Sequence, residues 1–288
     1  MKAILYRPEI DFFPVTENRE LSEIPVGGKT VQEIYKQLEK VETIEVVDKT
    51  DLNQAIQEAE TDLLIAPENL FAQPEDLKKA VKKFQQGRNL YLYKDDEDSS
   101  ENIFLTEKEF NSEDDVLESL KQGSKALEAE NVWIEIGRPE KVIEADRSIR
   151  NLKKPGISEE AEVSDDATVK DSIVRPGAEI ETGAVVKDSL IGENVKIAEN
   201  TVVKNSTVME NSFLRSCFVE DSLILEKVGI DPFSHVESCV IDRETSIKSN
   251  TTVRESIIGE DSFVEINNSI YGVKFVPNAR TDLGEISK

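Results

Sequence analysis

The side chains best equipped for chemistry in this chain are few: one histidine, His235, and two cysteines, Cys217 and Cys239. An imidazole can take a proton from an acceptor amine or hydroxyl, which makes His235 the candidate general base. It stands in GIDPFSHVESCV, the least regular passage of an otherwise periodic region, as either a site or a bulge would. The two cysteines occupy different places in that period and read as buried free thiols. Carboxylates are abundant, with 59 Asp and Glu against 35 Lys and Arg and a net charge of −24. That balance excludes nucleic acid as a partner, because phosphate binding needs a basic face. The densest acidic run, KDDEDSSE from Lys94, reads as a solvated loop.

The elements that must position these groups are announced by a seventeen-residue beat. Leu152, Val169, Val186, Val203, Val219, Val236, Val253 and Ile270 stand seventeen residues apart, with one gap of sixteen. A second apolar column, Ile157 through Ile258, lies five residues on, and a third, Val163 through Val264, six further. Spacing of this kind describes a coil with three short sides, each sending one branched aliphatic inward. Coils that bury little alone make a continuous core by stacking. At about 4.8 Å per stacked strand, seven coils give a prism about 34 Å tall. A column of small residues, Ser172, Ser189, Ser206, Ser222, Cys239 and Ser256, fits a tight corner. No side has room for an amphipathic helix, and the β-branched residues favour strands.

Runs such as VKDSIVRPGAEIETGAV and VRESIIGEDSFVEINNS resemble the hexapeptide repeats of left-handed parallel β-helices. The resemblance covers residues 152 to about 276. It implies fold more than function, since acyltransferases, carbonic anhydrases and structural tails share this architecture. Acyltransferases of this kind use a histidine as general base with acyl-CoA, a role that would fall to His235. No long loop leaves the coils to cover such a cofactor. A flat-sided prism carrying Phe213, Phe218 and Phe263 on its outside is expected to form a homo-oligomer, a trimer packed along the β-helix.

Residues 1–150 lack the beat and alternate strand-like with helix-like segments, which predicts a reduced Rossmann-like α/β domain with a mostly parallel sheet, followed by the all-β helix of residues 151–288. MKAILY, IEVVD, DLLIA, NLYLY and VWIEI read as strands. Helices are expected from Val31, over Leu52–Ala59, from Pro74, across DDVLESLKQGSKALEAE, and over PEKVIEADRSIRNL. No apolar run approaches the twenty residues of a membrane span, and no basic-then-apolar leader opens the chain, so the expected location is cytoplasmic.

Three stretches of this half resemble sugar-1-phosphate nucleotidyltransferases, a family that often carries a β-helix tail: MKAIL…FPVTENRELSEIPVGGK, DLLIAPENLF and VWIEIGRPEKVIEADRSI. The resemblance implies a magnesium pair at Glu68 and Glu135, where the family has aspartates, and leaves Arg19 and Lys29 as candidate substrate-binding cations. The departures are large. The family's glycine-rich phosphate loop is replaced by Tyr6–Pro14, which has no glycine and two carboxylates, and its phosphate-binding lysine falls on Leu21. Bulky side chains block close backbone approach to phosphate, and the carboxylates repel it.

Three functions follow as expectations. The favoured one is a catalytically degenerate nucleotidyltransferase relative, without a cofactor, that serves as a structural or regulatory subunit and assembles with itself or with an active relative. The second is a working Mg²⁺-dependent nucleotidyltransferase using Glu68 and Glu135. The third is an acyl-CoA-dependent acyltransferase using His235.

Overall fold

The computed structural model describes residues 1–7, 21–72, 74–84, 89–94, 102–106, 116–130, 133–135, 139–151, 153–281 and 285–287. They fall into two compact units, one built on the N-terminal strand and Lys29–Lys141, the other on Val142–Lys288 with Pro25–Gly28.

The first unit is a mixed α/β sheet. Its elements in chain order are β1 (Lys2–Arg7), α1 (Val31–Lys36), β2 (Thr43–Asp48), α2 (Leu52–Gln57), β3 (Leu63–Pro67), β4 (Leu70–Ala72), α3 (Pro74–Phe84), β5 (Leu90–Tyr93), β6 (Ile103–Thr106), α4 (Val116–Gly123), β7 (Lys125–Glu128), β8 (Trp133–Glu135) and α5 (Pro139–Asn151). The main sheet runs β2-β1-β3-β6-β5-β7, and β4 pairs with β8 in a separate two-stranded ribbon. β1 is parallel to both β2 and β3, β5 is parallel to β7, and β6 runs against its two neighbours. α1 starts at a capping box: the Thr30 side chain accepts from the Glu33 amide, and the Glu33 carboxylate accepts from the Thr30 amide. Ile4, Tyr6, Leu52, Ile56, Ile65, Phe104 and Leu120 are buried together beneath these helices.

Three strands here differ from expectation, one of them β4, which pairs with β8 alone. DDVLESLKQGSKALEAE reads as one helix, but α4 stops at Gly123 and Lys125–Glu128 is an edge strand beside β5. A glycine inside a helix costs about 1 kcal/mol relative to alanine, and pairing Leu90 with Lys125 onward gives the backbone another set of partners. β6 is a four-residue apolar run, IFLT, whose place between β3 and β5 is a tertiary decision rather than a local one.

The second unit is a left-handed parallel β-helix of about seven turns. Its first face stacks the strands Thr168–Lys170, Val185–Lys187, Val202–Lys204, Phe218–Glu220, His235–Glu237, Thr252–Arg254 and Ser269–Tyr271. The second runs from Gly156–Ile157 to Lys274–Phe275, and the third from Glu162–Val163 to Phe263–Val264. The three apolar columns of the sequence are the three inward columns, in the expected register: Val186 pairs with Val203, Ile191 with Val208, Ile180 with Ile197. Those members are all buried, as are Val219, Ile224 and Ile230 at mid-stack. Leu152 lies outside the described residues.

Turning a strand by about a third of a circle within a few residues requires left-handed backbone. Among the described residues, seventeen non-glycine residues have positive φ, all of them in this unit; seven are Asn and four Asp, the side chains that tolerate that region best. Glycine is needed for another reason at Gly259, where a Cβ would come within 2.7 Å of the Pro277 nitrogen in the next coil. One corner carries a serine ladder. The Ser189 hydroxyl donates to Lys187 O at 2.6 Å and accepts from the Ser206 amide at 3.2 Å. Ser172, Ser206 and Ser222 repeat the pattern, so each hydroxyl ties its own coil to the next. Cys239 takes the fifth place, its thiol directed at Glu237 O. Both cysteines are buried and free, and burial pushes each thiol up to about 12.

Candidate functional site

In open α/β sheets ligands bind outside the carboxyl ends of strands, where the strand order reverses. In the first unit the chain passes from β1 outward to β2 and then returns to β3 on the other side of β1, which puts the reversal at β1 and β3. Arg7 ends β1, Asp48 ends β2, and Glu68 immediately follows β3; Arg7 and Asp48 are register partners. The sequence folds them into a chain of contacts. Arg7 donates from Nη1 to Asp48 Oδ1 at 2.9 Å, and its Nε lies 3.7 Å from Glu68 Oε1. Ser22 donates to Glu68 Oε2 at 3.4 Å and accepts from Gln32 at 3.2 Å. The Glu68 amide is itself fixed to Tyr6 O at 2.9 Å.

Glu68 is only 4% exposed. Mg²⁺ dehydrates reluctantly and keeps several waters beside its carboxylates. A buried carboxylate already facing a guanidinium and a hydroxyl does not fit that ion. Among the described residues no three His, Cys, Asp or Glu side chains gather as a cation site. Glu135 ends β8, and its backbone stands opposite Leu70, two residues past Glu68, so the fold brings the two glutamate positions to one neighbourhood. Its side chain lies outside the described residues, as do Arg19 and residues 8–20 of the altered loop. Lys29 donates to Gln37 Oε1 at 2.9 Å, at the far end of α1. Sequence reasoning missed Arg7 and Ser22; the available signal was a cation at the end of the first strand.

His235 opens a first-face strand and is held on three sides. Its ring packs edge-on against Phe218 in the coil below, with centroids 4.7 Å apart. Arg254, one coil above, places Nη2 3.4 Å from Nδ1. A guanidinium has only donors, so Nδ1 offers its lone pair there and Nε2 carries the hydrogen. Nε2 is buried and lies 3.5 Å from Glu237 Oε2. Glu237 in turn pairs with Arg254 Nε at 3.0 Å. The only lone pair on the ring therefore faces a cation, whereas a general base must present it to a substrate.

A buried polar network fastens the start of the second unit. Asp146 of α5 accepts from the Gly27 amide at 2.8 Å, the Thr207 hydroxyl at 2.8 Å and Arg150 Nη1 at 2.5 Å. Arg150 also donates to Asn205 Oδ1 at 2.7 Å. Gly27 sits at φ +57°, and a Cβ there would meet Ile149. The PVGGK turn of the nucleotidyltransferase resemblance is thus pinned by structural contacts from α5. An Asp–Arg pair at i, i+4 in EADRSIRN is the sequence trace of it.

Residues 160–263 match the family model described as the GLGC left-handed parallel beta-helix domain. No curated protein matches the chain. Among solved structures, a Bacillus cereus protein provisionally described as an acetyltransferase matches at 21% identity and a TM-score of 0.32, over 44% of this chain and 75% of that one. At that level the likeness carries no functional argument. Among the described residues, no helix is long and apolar enough to cross a membrane.

Proposed function

We propose that the chain is a nucleotidyltransferase-like protein of sugar-nucleotide metabolism that performs no nucleotidyl transfer alone and serves as a structural or regulatory subunit, assembling through its β-helix. The observation that carries this reading is the closed switch point. Where a working relative would receive phosphates and metal, this chain has the contact chain Asp48–Arg7–Glu68–Ser22, open to solvent at Asp48 and Arg7 and buried at Glu68 and Ser22. Transfer needs phosphates held in line, their charge neutralised and a metal bridging them. Glu68 is engaged by Arg7, and Leu21 stands where the resemblance expects the phosphate-binding lysine. The Nδ1 of His235 faces Arg254 and its Nε2 is buried, which speaks against the acyltransferase alternative in the same way.

The test is pyrophosphate release from common Mg–nucleoside triphosphates with sugar 1-phosphates. The expected result is no release above background, unchanged by Leu21→Lys. Turnover abolished by both Glu68→Ala and Glu135→Ala would overturn the reading and establish an active transferase.

A further inference from the structure

The first face of the β-helix carries an outward column of charge that one chain leaves unbalanced. Along the axis it reads Lys170, Lys187, Lys204, Glu220, Glu237 and Arg254, one residue per coil in strict register. Three lysines stacked about 4.8 Å apart repel one another, and like charges directly opposite on neighbouring strands destabilise a sheet. In a chain of net charge −24, carboxylates for every lysine are plentiful. Lys170 does reach Asp171 at 3.7 Å, and Glu237 pairs with Arg254 at 3.0 Å. Among the described residues, Lys187, Lys204 and Glu220 form no ion pair; Lys204 Nζ lies 5.1 Å over the Phe218 ring instead. The corner carboxylate Asp221 is occupied by Arg147 at 2.8 Å and by Asn205.

Beside this column runs a second outward one that is apolar at mid-face, with Val202 and Phe218 as half-buried register partners. We infer that this face binds a second copy of the same chain, antiparallel, about a two-fold axis lying along the strand direction between the Lys204 and Glu220 coils. That operation returns each column onto itself and inverts the coil order. Lys204 then faces Glu220 of the other copy, Lys187 faces Glu237, and Val202 faces Phe218. Symmetry makes each contact twice, as an isologous interface requires. The one unfavourable pairing, Lys170 with Arg254, falls at the ends, where Arg254 already has Glu237. The aromatics of the third face have cations of their own chain: Arg215 lies over Phe213, and Lys248 and Arg280 lie over Phe263.

A face about 34 Å tall and three residues wide is small beside the roughly 800 Å² per partner of a standard interface, so the charge pairs must carry much of the association. Salt should therefore weaken it. This inference specifies the face and symmetry of the assembly in the proposed function and rests on that reading.

The experiment is sedimentation velocity of the full chain, Lys204→Glu, Glu220→Lys and an equimolar mixture of the two variants, at low and high salt. The parent should dimerise, and each variant alone should lose about tenfold or more in affinity. The mixture should recover the dimer, because each variant supplies the charge that the other lacks. Melting curves matching the parent would show that the variants remain folded. An oligomeric parent indifferent to both substitutions would overturn this face while leaving assembly itself intact. A monomeric parent at low salt and tens of micromolar would overturn both.

Discussion

The two units of this molecule are built on opposite rules. In the β-helix every contact repeats at one coil, so an inward aliphatic, a corner Asn and a corner Ser each recur on a fixed beat and stabilise only their neighbours. In the α/β unit no contact repeats, and the carboxyl edge of β1 and β3 depends on single residues from four places: Arg7, Ser22, Asp48 and Glu68. The comparison teaches where change is tolerated. A repeat can lose a residue, as one coil has between Leu214 and Val219, and restore its register at the next strand. A site of four singular residues cannot, and one guanidinium placed beside a would-be metal carboxylate alters the chemistry of the whole edge.

The harshest way to break the comparison is a charge inside the repeat. Ile224 is fully buried between Val208 and Ile241. Ile224→Asp removes a branched aliphatic and buries an unpaired carboxylate, at an expected cost above about 4 kcal/mol. Because coils share one core, thermal melting followed by circular dichroism should show loss of the whole β-helix rather than of one turn. A melting temperature equal to the parent's would mean that the inward columns are assigned wrongly.

Next in size is Arg150→Ala, which leaves Asp146 buried with two neutral donors and only the more distant Lys153 as a cation. Removing one partner of a buried pair costs about 3–5 kcal/mol, because the remaining charge is left uncompensated. Denaturant unfolding should report this, and replacing both residues by apolar ones of similar volume should cost less than the single change. If Arg150→Ala unfolded at the parent's midpoint, the network at Gly27 and Thr207 would not be holding the start of the second unit.

The smallest expected effect lies at Cys239, the thiol in a serine ladder. Cys239→Ser restores a hydroxyl that can accept from the Ser256 amide as its neighbours do one coil away. Stability should change by no more than about 1 kcal/mol, whereas Ser206→Ala, which strips a partner from the Ser222 amide, should cost about 1–2 kcal/mol. The thiols also set a pH dependence. Each is raised from 9.0 to about 12 by burial, so the folded state holds its proton more tightly than the unfolded state. Their contribution is complete below pH about 9 and is lost as pH climbs toward 12. Cys239→Ser should flatten that alkaline decline in urea midpoints; an unchanged slope would place the titration elsewhere.

These same contrasts explain what was legible beforehand. The register of the β-helix could be read from single columns because a period of seventeen admits one way of turning three apolar residues inward. The strands β1, β2, β3, β5 and β8 could be read from local apolar runs. The strands β4, β6 and β7 could not, because LFA, IFLT and KALE owe their state to neighbours distant in sequence. For the site, the sequence placed Glu68 beside the strand ends and put no glycine where the nucleotidyltransferase resemblance expects a phosphate loop. Beyond a cation at the end of the first strand, it did not show that Ser22 and Arg7 converge on that carboxylate, since the Arg7 contact depends on the strand order β2-β1-β3. The surroundings of the His235 ring were hidden for a related reason: Arg254 and Phe218 lie one coil above and below, nineteen residues on and seventeen back.

On the proposed function, the α/β unit has a strand edge placed like a nucleotide site but without the capacity to bind a nucleotide. Calorimetric titration of the full chain with a Mg–nucleoside triphosphate, taken to millimolar concentration with and without sugar 1-phosphate, tests it most directly. No saturable heat is expected, and none should be recovered by Leu21→Lys. Saturable binding below millimolar that disappears in Glu68→Ala would contradict it, for the buried carboxylate beside Arg7 would then be receiving the metal after all.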